Sequence, residues 1–311
     1  MVSEYSYTIS YGKLCVPVYR VYATPLKGVT PIHESSFMGR DNVVFALEVD
    51  VEVFGDNFLS AYTHGDNSNV VATDSMKNFV LKQALTFNGA TLEGFLAMLG
   101  RQFLEAYPQM ERLCLTGREL PFTATSVPDA ATFKPSNVLF SRSHADYAMA
   151  TLDFTRVNEN IVISVHRCGC IGLQLLKVTG SAFTHFVRDS YTTLPERSDR
   201  PLFLYLDVYW KYINSFDLVD PSFKHYVAAE QVRDFVQVVF HEFVSESIQH
   251  LVHEMGQRLL RRFPQLSEVS FEAQNRTKDP VATSDTDAKM KVYSEPFPAY
   301  GTIKLTLTRD I

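Results

Sequence analysis

The chain carries one pattern twice. Residues 100–115 (GRQFLEAYPQMERLCL) match residues 256–271 (GQRLLRRFPQLSEVSF) at an offset of 156, which is 256 − 100 and half of the 311 residues. Upstream at the same offset, Leu92, Phe95, Leu96, Leu99 and Phe103 map onto Ile248, Leu251, Val252, Met255 and Leu259. Both sets follow helical spacing, so the spacing predicts two amphipathic helices with equivalent core stripes. Each helix stops at an aromatic-Pro-Gln step, because proline disfavours helix at the residue before it. A chain built this way folds as two copies of one unit, and we place the boundary near residue 158, giving residues 1–158 and 159–311.

Around the helices the period drops to two. Phe45, Leu47, Val49, Val51 and Val53 alternate with Ala46, Glu48, Asp50 and Glu52, and Leu202, Leu204, Leu206, Val208 and Trp210 alternate likewise. Half-buried strands are expected there, and also near residues 13–24, 111–120, 145–156, 161–178 and 301–309, with residues 157–160 as a turn. Each half then runs strand, strand, helix, helix, strand, strand. That order gives an α+β unit: an antiparallel sheet with both helices on one face and its sheet edges left for other copies to cover. The polar stretch from Lys278 to Ala299, with its three prolines, is expected to be a long mobile loop.

Composition narrows the function. Lys and Arg total 29 against 35 Asp and Glu, a net charge of −6, which argues against a nucleic-acid surface. There is no run of apolar residues long enough to span a bilayer and no apolar leader, so a cytoplasmic protein without membrane contact is expected. Four cysteines, with only Cys168 and Cys170 close together, suit reduced and mostly buried thiols. His241, His250 and His253 lack the spacing of a metal site and are expected on a solvated helix face. Gly-rich phosphate loops, nucleophile elbows and dinucleotide fingerprints are absent from the sequence. Nucleotide cofactors and acyl-serine chemistry are therefore unsupported, and ordinary side chains are expected to do the chemistry.

Thr73, Asp74 and Ser75 sit at the entry to the first helix of the first half. They read as capping residues, and the same helix start also offers backbone amides and a positive dipole end to a small anion.

Four short segments, in order along the chain, resemble the urate oxidase (uricase) family: Tyr11-Gly-Lys13, Val71-Ala-Thr-Asp-Ser75, Phe186 to Leu194 followed by Asp199-Arg200, and Phe271-Glu-Ala-Gln-Asn-Arg-Thr277. The last is similar to the bacterial branch. The resemblance implies two tandem T-fold units, in the strand-strand-helix-helix-strand-strand order found above, assembled into a homotetramer of barrels around a central tunnel. It also implies active sites at subunit interfaces, where Lys13, Thr73 and Asp74 of one chain meet Phe183, Arg200 and Gln249 of its neighbour.

The implied substrate is urate, a flat purine trione that is anionic near neutral pH. Arg200 would bind one edge bidentately and Gln249, with one amide donor and one acceptor, the opposite edge. Phe183 would stack on the ring, and backbone amides at Asp74 and Ile248 would complete the clamp. Lys13, desolvated at the interface, and Thr73 would form the catalytic proton relay. Dioxygen and later water would lie on the far face near Asn275, and urate would be oxidised to 5-hydroxyisourate with release of hydrogen peroxide. Some members carry a histidine two residues after the asparagine; here that position is Thr277, so the histidine's relay role does not carry over. The tryptophan that often follows is Lys278, and the carboxyl terminus lacks a peroxisomal address.

Taken one at a time, the same residues have plainer uses: Lys13 as a strand-edge charge, Arg200 as a surface cation, Phe183 as core. Two other functions keep the same fold. A pterin-handling T-fold enzyme would anchor its ligand with a glutamate where this chain has Gln249, and a catalytically inactive scaffold would bind urate without turnover.

Overall fold

The protein is described here as a computed structural model covering residues 5–142, 144–276, 278–294 and 298–310. Thr277 lies outside the described residues. The chain packs as two compact units: Met1–Thr30, Met38–Cys168 and Asn214–Tyr226 form the first, and Pro31–Phe37, Gly169–Ile213 and Val227–Ile311 the second.

The first unit begins with strands β1 (Ser10–Val21) and β2 (Val44–Phe54), a short helix α1 (Leu59–Thr63), and helices α2 (Thr73–Thr86) and α3 (Leu92–Ala106). Strands β3 (Arg112–Glu119), β4 (Phe122–Asp129), β5 (Thr132–Arg142), β6 (Tyr147–Val157) and β7 (Asn160–Lys177) follow, and β7 runs on into the second unit. The sheet order is β1-β2-β3-β6-β7, and the ladders β1–β2, β2–β3 and β3–β6 are antiparallel. Register places Val51, Leu115 and Leu152 side by side on one face, all fully buried, as alternation requires. The α3 stripe Leu92, Phe95, Leu96, Leu99 and Phe103 is also buried, and α3 packs against β3 and β6. Gly100 sets how close the helix comes: a Cβ there would meet the Phe154 ring at 2.3 Å.

The second unit repeats the plan with β8 (Leu202–Tyr212), α4 (Ala229–Glu242), α5 (Ile248–Arg262), β9 (Leu266–Asn275), the short strands β10 (Pro280–Thr283) and β11 (Lys291–Tyr293), and β12 (Gly301–Thr308). Its sheet order is β7-β8-β9-β12, antiparallel from β8 through β9 to β12. The helices begin and end 156 residues after their counterparts: 229 − 73 and 242 − 86 for α4, 248 − 92 and 262 − 106 for α5. Thr91 and Ser247, again 156 apart, cap α3 and α5, each hydroxyl accepting a backbone N–H three residues on, at 3.1 Å. Gly256, the counterpart of Gly100, lets Leu307 approach to 2.3 Å from where a Cβ would stand. β1 and β12 each have a single strand neighbour among the described residues, so both units end in an open edge.

Three expectations need correction. The hairpin β4–β5 was not foreseen, because its residues are exposed on both faces and carry no apolar alternation. The stretch 278–299 is not one long loop: β10 and β11 pair from Pro280↔Tyr293 to Thr283↔Lys291. Pro280 is tolerated because it opens its strand, and the Tyr293 ring meets Phe203 edge-on at 6.3 Å, anchoring the hairpin. Of the four free thiols, Cys168 and Cys170 are buried and Cys114 is half-buried, but Cys15 is exposed in a β-bulge between Lys13 and Val16. His241, His250 and His253 lie on exposed helix positions as expected.

Candidate active site

The candidate residues fall into two groups, one in each unit. In the first unit, Lys13 sits on β1 opposite Val51, half-buried, directly before the bulge that changes the strand's register. Gly12 makes this possible, since a Cβ there would lie 1.9 Å from the Val51 carbonyl oxygen. The neighbouring Tyr11 does more than fill space. Its hydroxyl accepts the Val71 backbone N–H at 3.0 Å, and its ring packs edge-on against Phe58 at 5.1 Å. The strand that carries Lys13 is thereby tied to the segment that leads into α2. Burial pushes the Tyr11 phenol up, so it stays a neutral acceptor near pH 7.

The capping reading of Thr73 to Ser75 does not hold. Ala72 precedes α2 and no side chain caps it; Thr73, Asp74 and Ser75 are themselves the first three helical residues. The Asp74 carboxylate turns along the helix instead, accepting Lys77 Nζ at 2.6 Å and Asn78 Nδ2 at 2.9 Å. The bond to Lys77 holds its pKa below the usual carboxylate range, and Lys13 adds a smaller effect of the same sign, which puts Lys13 within electrostatic reach of the α2 start. The amides of the first helical turn have no intrahelical acceptor, so Thr73 and Asp74 present N–H groups and the positive end of the helix.

In the second unit, Phe183 and Arg197 exchange backbone hydrogen bonds, Ala182 N–H donates to the Ser245 carbonyl at 2.8 Å, and Arg200 N–H donates to the Ser181 carbonyl at 2.8 Å. These contacts bring Phe183 and Arg200 to the segment that enters α5. The Arg200 guanidinium lies 5.3 Å from the centre of the Phe183 ring, and Phe186 stacks on that ring at 4.9 Å. The Asp199 carboxylate accepts Thr179 Oγ1 at 2.6 Å and Gly180 N–H at 2.7 Å. Arg200 Nε is buried with no hydrogen-bond acceptor among the described residues. Burial, and then the like charge of Arg197, lower the Arg200 pKa from its ordinary value. This is a desolvated cation with an unspent donor.

Ile248 is the first residue of α5, its side chain buried in the core and its N–H without an intrahelical acceptor. Gln249 follows with an exposed side chain. Asn275 ends β9, opposite Leu204 and Gly301. Phe183 and Arg200 are thus held beside the segment that leads into Ile248 and Gln249, and Asn275 ends the strand that packs against α5. Sequence reasoning missed the Tyr11 clamp and the Gly12 contact although both residues stood in the quoted motif, because the first depends on where the loop before α2 lies and the second on the pairing of β1 with β2.

The uricase family pattern matches residues 11–162 and 166–304 of this chain. A uric acid degradation bifunctional protein from Bacillus sp. is 46% identical over 96% of this chain and 60% of its own length, and one from Bacillus subtilis is 45% identical over 97% and 61%. The chain thus spans about three-fifths of those relatives. A uricase from Halalkalicoccus jeotgali is 47% identical over 93% of this chain and 94% of its own. The crystal structure of urate oxidase from Bacillus sp. TB-90 superposes with a TM-score of 0.94 at 45% identity, covering 97% of this chain and 100% of that one. With matched segments that together take in Lys13, Thr73, Phe183, Arg200, Gln249 and Asn275, the chain belongs to the uricase family.

Proposed function

We propose that this protein oxidises urate with dioxygen and water to 5-hydroxyisourate and hydrogen peroxide in purine degradation, using its own side chains and no cofactor. The atoms balance: urate gives up two electrons, dioxygen takes them to become peroxide, and water supplies the hydroxyl at C5. Arg200 carries this reading. A buried guanidinium with a free Nε donor, beside a stacked Phe183–Phe186 pair, suits a flat anion that brings both charge and ring.

Gln249 would read the opposite edge of the ligand, and the amides of Ile248 and Asp74 would close the clamp. Lys13 and Thr73 would move protons, with dioxygen and then water held near Asn275. Thr277 takes the place of the histidine in other members and is assigned no relay. The two halves, 1–158 and 159–311, are read as T-fold units that assemble as a homotetramer around a tunnel, each site combining the Lys13 group of one chain with the Arg200 group of another. Four free thiols fit a reducing cytoplasm.

The test uses purified, metal-stripped protein in air, following urate absorbance, oxygen uptake and peroxide release in one sample. Matched loss of urate and oxygen with equal gain of peroxide is expected. Urate binding without turnover would indicate an inactive scaffold, and absence of binding would favour a pterin-type ligand. Division of labour gives a second readout: Arg200→Ala should weaken urate binding, while Lys13→Ala should mainly lower kcat.

A further inference from the structure

We infer that Arg276 is a positioning residue for Asn275, acting through a staple on the opposite face of the sheet. The inference rests on the urate-oxidising reading above, in which Asn275 serves the dioxygen side of the ligand.

Strand register sets the geometry. Asn275 pairs with Leu204 and Gly301, and Gln274 pairs with Tyr205 and Thr302. Side chains alternate, so Asn275 shares the face of fully buried Leu204, the face α5 covers, while Gln274 points to the other side with Tyr205. Arg276 returns to that other side. Its guanidinium lies 3.9 Å from the centre of the Tyr300 ring and 5.1 Å from that of Tyr205. Nε and Nη2 both donate to Gln274 Oε1, at 3.1 and 2.6 Å. The Arg276 backbone N–H donates to the Phe203 carbonyl at 3.2 Å, which carries the ladder one residue past Asn275.

Gln274 and Arg276 are therefore locked to each other across Asn275, and two tyrosine rings hold the lock. A strand end normally frays, and Gly301 brings no side chain against Asn275 from the neighbouring strand. The staple adds a constraint of its own: it fixes the peptide groups on both sides of Asn275 and so sets the direction in which its amide points. A planar guanidinium does this because it stacks and donates twice at once, which an ammonium cannot.

The experiment is steady-state oxidation of urate by the full-length protein, together with anaerobic urate binding. Arg276→Ala should lower kcat about tenfold while leaving the urate KM and anaerobic Kd within about twofold, since displacement of a reacting group costs rate more than affinity. Arg276→Lys should recover part of the loss through its retained charge over the rings. Gln274→Leu should act in the same direction, and the double variant should be no slower than the worse single one. An Arg276→Ala kcat within about twofold of the parent, loss of anaerobic urate binding in step with kcat, or additive losses in the double variant would each overturn the staple. A parent chain that does not consume urate overturns the functional reading along with it; an active parent matched by Arg276→Ala overturns the staple alone.

Discussion

Glu93 and Gln249 occupy the same position in two copies of one helix, 156 residues apart, and have opposite fates. Gln249 is exposed, while Glu93 is 3% exposed and accepts the Tyr226 hydroxyl at 3.0 Å. Burial raises the Glu93 pKa from 4.5 to about 7; Glu119 pushes the same way, and the Tyr226 hydroxyl and Arg40 pull against it. The unfolded chain ionises this group near 4.5 and the folded chain near 7, so between those values the unfolded state holds fewer protons. Stability is full below the lower value, falls as pH rises through the window, and stays reduced above it by roughly 3 kcal/mol. Glu93→Gln keeps an acceptor for Tyr226 and removes the titration. Thermal unfolding of the variant should be flatter than the parent's from pH 5 to 7.5 and should lie higher at the upper end; parallel profiles would mean that Glu93 ionises normally.

The helices were legible because their apolar stripes repeat, and α3 and α5 reproduce the predicted core positions residue by residue. β2 and β8 were legible for the same reason, since each has one face on the core. β4 and β5 bury almost nothing, so no period marks them. In the candidate site, the residue types of the Lys13, Thr73 and Arg200 segments could be read from motifs, but the parts that aim them could not. The Gly12 contact and the Gln274–Arg276 staple depend on strand pairing, and the Tyr11–Val71 bond joins a strand to a loop 60 residues away, none of which a linear string displays. The caps lie between these cases: Thr91 and Ser247 stand just before matching stripes, and the repeat could have revealed them. Ser247→Ala removes the hydroxyl that accepts the His250 N–H and should cost about 1 kcal/mol. Because the same turn carries Ile248 and Gln249, urate KM should rise along with the drop in Tm. A fall in Tm with unchanged KM would show that the α5 start does not contact the ligand.

At the scale of the molecule, the repeat predicts how a site is completed. Within one chain, Glu93 at the α3 start is met by Tyr226. Moved by the repeat offset, these positions become Gln249 (93 + 156) and Val70 (226 − 156), and Val70 leads into the segment that the Tyr11 hydroxyl ties to Lys13. Under the proposed interface, the second copy of this encounter would set Gln249 against the α2 entry of a different chain and bring Arg200 to Lys13 and Thr73. The open edges at β1 and β12 leave strands available for that association. If sites form in this way, each draws its Lys13 from one chain and its Arg200 from another. Co-expression of Lys13→Ala with Arg200→Ala chains, assayed at a urate concentration at which each alone is strongly impaired, should then restore activity: with random pairing, about a quarter of the sites combine an intact Lys13 with an intact Arg200. Recovery near that level, in particles whose mass is a multiple of the chain mass, is the expected result. No recovery in mixed particles would place both residues of each site on a single chain and overturn the interface assignment.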